Sequence, residues 1–233
     1  KFLVPAASRA ALAAELGGRG TAQRRRLADS YVDTPDLRLA RARLAWRLRR
    51  EGGRWLQALK AAGGGPLARF EHELARPDAH LDPGAHVGTG PGRALLALLR
   101  AAEADGLPVG ERCRAELQRL SRRVRTRGAV VEVALDEGRL LAGEAVLRLR
   151  EVEFELVSGS PQALLALAER WRRRFGLIHD PRSKAERGLR LAAGAPHAPP
   201  RQAVLPCYAA DADAAAACTV VVDECVSHIG HNA

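Results

Sequence analysis

The segment "LREVEFELVSG", residues 149–159, sets Glu151, Glu153 and Glu155 at every second position, with Val152, Phe154 and Leu156 between them. On an extended chain that spacing puts three carboxylates on one face. Clustered carboxylates repel one another unless a hard cation neutralises them, and oxygen donors of this kind suit Mg²⁺ or Mn²⁺. Similar period-two rows recur in Arg47/Arg49, Arg69/Glu71/Glu73, Arg119/Ser121/Arg123 and Glu132/Asp136. Guanidinium rows suit the oxygens of a phosphate chain. Acidic and basic rows together point to a divalent metal ion bridging to a polyanionic phosphate substrate.

The elements that must carry these rows can be read from turn and cap residues. Residues 5–16, "PAASRAALAAEL", predict a short helix closed by Gly17 and Gly18. "AWRLRREGGRWLQALK" predicts an antiparallel hairpin turning at Gly52-Gly53, and "ARFEHELA" a further strand with Glu71 and Glu73 on one face. A Pro- and Gly-rich loop over 77–91 and a helix near 92–104 follow. "AELQRLSRRVRT", "AVVEVALDEG", "RLLAG" and "EAVLRLREVEFELVSG" predict four more strands, divided at Arg127-Gly128, Glu137-Gly138 and Gly143. "SPQALLALAERWRRRFG" predicts an amphipathic helix with Ser160 as N-cap, Pro161 at its first position and Gly176 after its end. Successive antiparallel strands predict an α+β fold built on a closed or nearly closed barrel. A polar lumen, with an apolar outer face under the helices, accounts for the charged rows and the amphipathic helices together. Trp46 and Trp55 are then expected on the exterior.

At residue 194 the composition changes. A Pro-rich linker is expected over 194–207, and "DADAAAACTVVVDECVSHIGHNA" reads as one helix, the opening of a second helical domain over 208–233. Cys218 and Cys225, seven apart, are expected in that domain's core. His228 and His231 read as an exposed helix end and "RWRRR" at 170–174 as a solvated helix face.

Charge and composition restrict the partner. With 233 residues, 47% hydrophobic and 27% charged, the chain can build a core and is too apolar for disorder. No apolar run spans a membrane and no signal peptide is visible, so the cytoplasm is the expected compartment. Cys113, Cys207, Cys218 and Cys225 form no CxxC pair and are read as reduced. A formal charge of +10 calls for an anionic partner. Nearly all of it is arginine: lysine occurs only at Lys1, Lys60 and Lys184. The chain contains no methionine, and its natural start is expected upstream of Lys1.

"SYVDTPDLRLARARLAWRLRREGGRWLQALK", "VVEVALDEG", "EVEFELVSG" and "RSKAERGLRL" stand in the order and spacing of the CYTH domain. From Lys1 to about Ala193 the sequence resembles that domain of the triphosphate tunnel metalloenzymes, specifically bacterial inorganic triphosphatases in which CYTH precedes a helical CHAD domain. The resemblance implies an eight-stranded antiparallel tunnel hydrolysing inorganic triphosphate with Mg²⁺ or Mn²⁺. It implies Lys1, Arg47, Arg49, Lys60, Arg119, Arg123, Lys184 and Arg187 on phosphate. It implies Glu71, Glu73, Asp136, Glu151 and Glu153 on metal, and catalytic roles for Lys60, Arg187 and Glu132. All three lysines match lysine positions of the family motifs, and a compact ammonium approaches phosphate as a point charge. Lys1 matches the last residue of an N-terminal ExExK, whose glutamates either lie upstream or are missing from an impaired version. Ser121 stands where a basic residue is common. Readings left open are a polyphosphate-binding module without hydrolysis and the related thiamine triphosphatase and adenylate cyclase tunnels. General nucleic-acid binding predicts a surface stripe with no use for paired carboxylates, and a membrane partner is not expected. Oligomeric state is not legible.

Overall fold

A computed structural model describes residues 1–18, 22–65, 68–195 and 200–232. Nine antiparallel strands form one sheet: β1 (Phe2–Leu3), β2 (Gln23–Asp33), β3 (Leu44–Glu51), β4 (Arg54–Gly65), β5 (Ala68–Arg76), β6 (Gly110–Thr126), β7 (Ala129–Ala142), β8 (Ala145–Gly159) and β9 (Ile178–His179). Their order is β5-β4-β3-β2-β6-β7-β8-β1-β9. The helices are α1 (Arg9–Gly17), α2 (Arg38–Arg41), α3 (Gly90–Ala104), α4 (Pro161–Phe175), α5 (Lys184–Ala192) and α6 (Ala214–Asn232). No ladder joins β5 to β9 among the described residues, so the expected closed or nearly closed barrel takes the nearly closed form, with nine strands rather than eight. The two edges still approach: Arg69 Nη2 donates to the Pro181 carbonyl at 3.0 Å.

The hairpin β3–β4 turns at Gly52, whose φ of +61° is the left-handed conformation glycine adopts freely. Ser160 caps α4, its hydroxyl accepting from the Ala163 N–H, and Gly176 at φ +60° closes it. Two expectations are corrected. Glu137-Gly138 is not a turn: "AVVEVALDEG" and "RLLA" form one continuous strand, β7. Gly138 is there because β6 passes close beneath, where an added Cβ would meet the Glu116 carbonyl oxygen at 1.9 Å. The other is α5, which had no helical reading. Its N-cap is Ser183, which accepts from the Glu186 N–H at 3.0 Å.

Strand alternation sorts the chemistry by face. Outward residues Val131, Val133, Leu135 and Val152 pack under Leu12 and Leu16 of α1 and under Leu167, Trp171 and Phe175 of α4. Trp46, Leu44 and Leu59 pack with Leu39 and Leu95 of α2 and α3. The inward face is polar over much of its length, as predicted, with one departure. At one end Ala185 and Leu191 of α5 pack onto Tyr31, Cys113, Leu117, Leu140 and Leu149, filling the concave face with an apolar plug. Gly188 makes that approach possible, since a Cβ there would stand 2.3 Å from Cys113 Sγ.

Of the expected linker, residues 196–199 lie outside the described residues. The helix expected near the C-terminus is α6, but Cys218 and Cys225 on it are exposed rather than in a core. Among the described residues its hydrogen-bonded neighbour is the segment around Arg201 and Val204, too small to bury a face. His228 Nε2 donates to the Arg201 carbonyl at 3.0 Å, while the side chain of His231 lies outside the described residues.

Candidate functional site

The period-two rows converge on the inward face. Cross-strand register sets Arg119 opposite Asp136 and Asp136 opposite Glu151, so β6, β7 and β8 bring one side chain each to the same level. Glu153 lies one inward step along β8. Carboxylate oxygens of Asp136, Glu151 and Glu153 all fall within 4.8 Å of one another. Asp136 and Glu151 are fully buried, and Glu153 is 20% exposed.

Cations from both ends of the sequence neutralise this cluster. Lys184, at the first turn of α5, sets its Nζ 2.7 Å from Asp136, 2.6 Å from Glu151 and 2.9 Å from Glu153. Arg119 donates twice to Asp136, at 2.7 Å each, and once to Glu153 at 2.8 Å. Arg187, one helical turn after Lys184, donates to Glu151 at 3.0 Å, and Lys1 reaches Glu151 at 3.2 Å while also donating to the Arg182 carbonyl. The spacing of α5 explains the pair: residues three apart share a helix face.

Burial alone would discharge these groups; the opposite charges decide otherwise. For Lys184 burial lowers the pKa, but Glu153, Asp136 and Glu151 hold it well above the usual lysine range. For Glu153 burial raises it, but Lys184 and Arg119 hold it well below the usual carboxylate range. Glu155, further along the row, is raised by desolvation and by the Glu153 charge.

The second group sits on β2–β5. Arg49 donates bidentately to Asp29, at 2.6 and 2.8 Å. Arg47 donates to Glu73 at 2.8 Å and lies 3.7 Å from Glu71 and 3.6 Å from Asp29. Lys60 pairs with Glu71 at 2.9 Å, and desolvation together with Arg47 lowers its pKa. Glu71 and Glu73 therefore both face inward, but they answer Arg47 and Lys60 instead of joining the Asp136 cluster. The buried Nε of Arg47 has no hydrogen-bond partner, a donor left over for a ligand oxygen.

Not every expected residue is drawn in. Arg123 is exposed, with Glu132 as its cross-strand neighbour. Glu132 is opposite Glu155 on its other side and holds no ion pair among the described residues, so nothing in the geometry ties it to the cluster. Three buried acids were missed, of which Asp33 only caps the α2 turn through the Thr34, Leu39 and Ala40 N–H groups. Asp29, 0% exposed, lies in a period-two run with Tyr31 and Asp33 that "ADSYVD" displays but that mixes charge with an aromatic ring. Burial raises its pKa, yet the Arg49 hydrogen bonds and the charges of Arg47 and Arg49 bring it down to about 2. Asp180 accepts from the backbone and side chain of Arg182, a loop contact with no periodic signature.

The acidic cluster suits a hard divalent ion by its donors, three carboxylates from adjacent strands. Glu151 Oε1 is buried with no hydrogen bond of good geometry, although Lys184 Nζ is 2.6 Å away, so this oxygen is electrostatically matched yet directionally free. Such an ion would compete with Lys184 and Arg119 for the same oxygens.

Among known proteins, the chain is similar to the inorganic triphosphatase of Haemophilus influenzae, with 28% identity over 168 residues covering 71% of this chain and 46% of the relative. It thus spans about half the length of that relative. Two solved structures share the fold. A candidate adenylyl cyclase from Hippeastrum, described with a dominant triphosphatase activity, superposes with a TM-score of 0.53 at 17% identity over 83% of this chain and 93% of that one. A candidate adenylate cyclase from Bacillus halodurans superposes with a TM-score of 0.52 at 16% identity over 78% and 90%. The family model for the CYTH domain matches residues 1–189, which contain every strand and every ion pair of the cluster, and the chain belongs to the CYTH domain family.

Proposed function

We propose that this chain hydrolyses inorganic triphosphate to diphosphate and phosphate on its inward face, with the help of Mg²⁺ or Mn²⁺. The observation that carries the reading is the joint arrangement of Asp136, Glu151 and Glu153 beside Lys184, Arg119, Arg187 and Lys1, facing Arg47, Arg49 and Lys60 across the sheet. Carboxylates alone would argue for a metal store, and cations alone for a phosphate trap. Side by side they suit a metal-bound phosphate chain.

Asp136, Glu151 and Glu153 would hold the metal ion, which when bound supplies charge neutralisation on the phosphate oxygens and orients the attacking water. Lys184 and Arg119, released from those carboxylates, turn to the phosphate oxygens. Arg47 offers its unpartnered Nε, and Arg49, fixed by Asp29, presents its remaining N–H groups. In the reaction the water oxygen bonds to the terminal phosphorus as the bridging P–O bond breaks, one water proton stays on the product phosphate and the other passes to solvent, and the cations stabilise charge on the departing diphosphate. Lys60, paired with Glu71, and Arg187, paired with Glu151, add two further cations for the same charge. The segment beyond about residue 193, with α6, is read as a separate helical unit following the CYTH domain.

The test is phosphate release from tripolyphosphate with Mg²⁺ or Mn²⁺. Wild type should turn over and Glu153→Gln should lose at least 100-fold in metal-dependent rate. Tripolyphosphate binding without turnover by wild type would instead support a binding module, and full activity in Glu153→Gln would remove that residue from the site.

A further inference from the structure

The outer face of the same strands carries a second cationic surface. Arg148 and Arg150 alternate with Leu149 and Glu151 on β8, and Arg139 alternates with Gly138 and Leu140 on β7, so these guanidiniums point away from the carboxylate cluster. With Arg9 at the start of α1, Arg26 and Arg50 they line an open groove of about 1350 Å³. Its acidic members are Glu116 and Glu137, so six arginines stand against two carboxylates. Glu116 pairs with Arg139 at 2.7 Å, and Glu137 with Arg9 and, at 3.7 Å, Arg150. Among the described residues Arg26 and Arg148 have no carboxylate partner.

Register makes this more than a general surplus of charge. One rung runs Arg50, Ala28, Glu116, Arg139, Arg148 across β3, β2, β6, β7 and β8. The next runs Arg26, Gln118, Glu137, Arg150. Arg139 and Arg148 are directly opposite; Glu116 answers Arg139 from the neighbouring strand, which leaves Arg148 as the like charge that a bound anion would neutralise. At about 4.8 Å per strand the first rung spans about 19 Å, longer than a triphosphate needs. Arginine forks at this spacing suit successive phosphate groups. Among the described residues no aromatic ring lines the groove itself, and the one ring beside it, Trp55, is engaged by Arg50 at 5.8 Å, so the groove lacks the row of free stacking platforms that single-stranded nucleic acid uses.

We propose that this outer groove binds a condensed phosphate chain longer than triphosphate, at a site separate from the inward face. The two sites are independent, so this holds whether or not the inward face hydrolyses triphosphate. The test measures binding of long-chain polyphosphate to the full chain, with excess tripolyphosphate present to occupy the inward face. Arg26→Glu/Arg148→Glu should weaken long-chain binding at least tenfold and make its salt dependence shallower. Its tripolyphosphate binding should stay within twofold of wild type. The milder Arg26→Ala/Arg148→Ala pair, checked for an unchanged melting temperature, should show the same loss in smaller measure. Unchanged long-chain affinity in both pairs overturns the proposal. So does displacement of the polyphosphate by single-stranded RNA at lower phosphate concentration, which would assign the groove to nucleic acid.

Discussion

Lys184→Ala takes one ammonium away from three carboxylates at once. The side chain is 7% exposed, and its Nζ lies within 2.6 to 2.9 Å of Asp136, Glu151 and Glu153. Removing one partner of a buried ion pair costs about 3–5 kcal/mol, because the remaining charges stay buried. Arg119, Arg187 and Lys1 still face the cluster, which places the cost toward the lower end. At about 2–4 °C per kcal/mol for a chain of this size, Tm in chelator should fall by about 6–20 °C. A divalent ion should then replace the lost charge. At 100 times its Kd it stabilises by about 2.7 kcal/mol, or about 5–11 °C. In wild type, where Lys184 occupies the same oxygens, the metal-induced rise should be smaller. The assay is a thermal melt of both proteins in chelator and in a Mn²⁺ or Mg²⁺ series. A variant whose Tm does not respond to metal, or a wild type that gains as much, refutes the competition between ammonium and cation.

Other consequences are open to direct measurement. Acid should weaken the fold in two windows. His86 is lowered to about 4 by burial and by His72, so its neutral form contributes stability that is complete above about pH 6.5 and falls away toward pH 4. Asp29, lowered from 3.8 to about 2, contributes stability of about 2 kcal/mol that is present above pH 4 and lost as pH falls through 2. A denaturation midpoint flat from pH 7 to pH 2 contradicts both, and Asp29→Asn should reduce the loss in the lower window while leaving the upper one unchanged. Gly138→Ala should cost more than 2 kcal/mol in chemical denaturation, because its Cβ would collide with backbone rather than with a movable side chain. A cost below 0.5 kcal/mol would show that β6 can give way.

How much of this was legible depends on the kind of signal. The inward rows announced themselves, since Arg47, Arg49, Arg119, Asp136, Glu151 and Glu153 each sit in a period-two pattern and each does meet an opposite charge. Pairing across the sheet was not legible. Nothing in sequence spacing says that Glu71 and Glu73 answer Arg47 and Lys60 while Asp136 answers Arg119 and Lys184, because register is set by all the strands together. Asp29 was hidden by its neighbour Tyr31, and the helical nature of "KAERGLRLA" by its charge density and internal Gly188. Its apolar side is only Ala185, Leu189 and Leu191, too sparse for a clear stripe. The glycine at 138 misled for a physical reason: a glycine within a strand and a glycine at a turn look alike until the backbone lying against it is known.

The apolar plug formed by α5 has a consequence for how any linear substrate is handled. With Ala185 and Leu191 packed against Tyr31, Leu117 and Leu149, the concave face is blind at one end. If the inward face takes phosphate chains as proposed, no chain could thread through at that end, and entry and exit would be confined to the opposite end and to the open edge between β5 and β9.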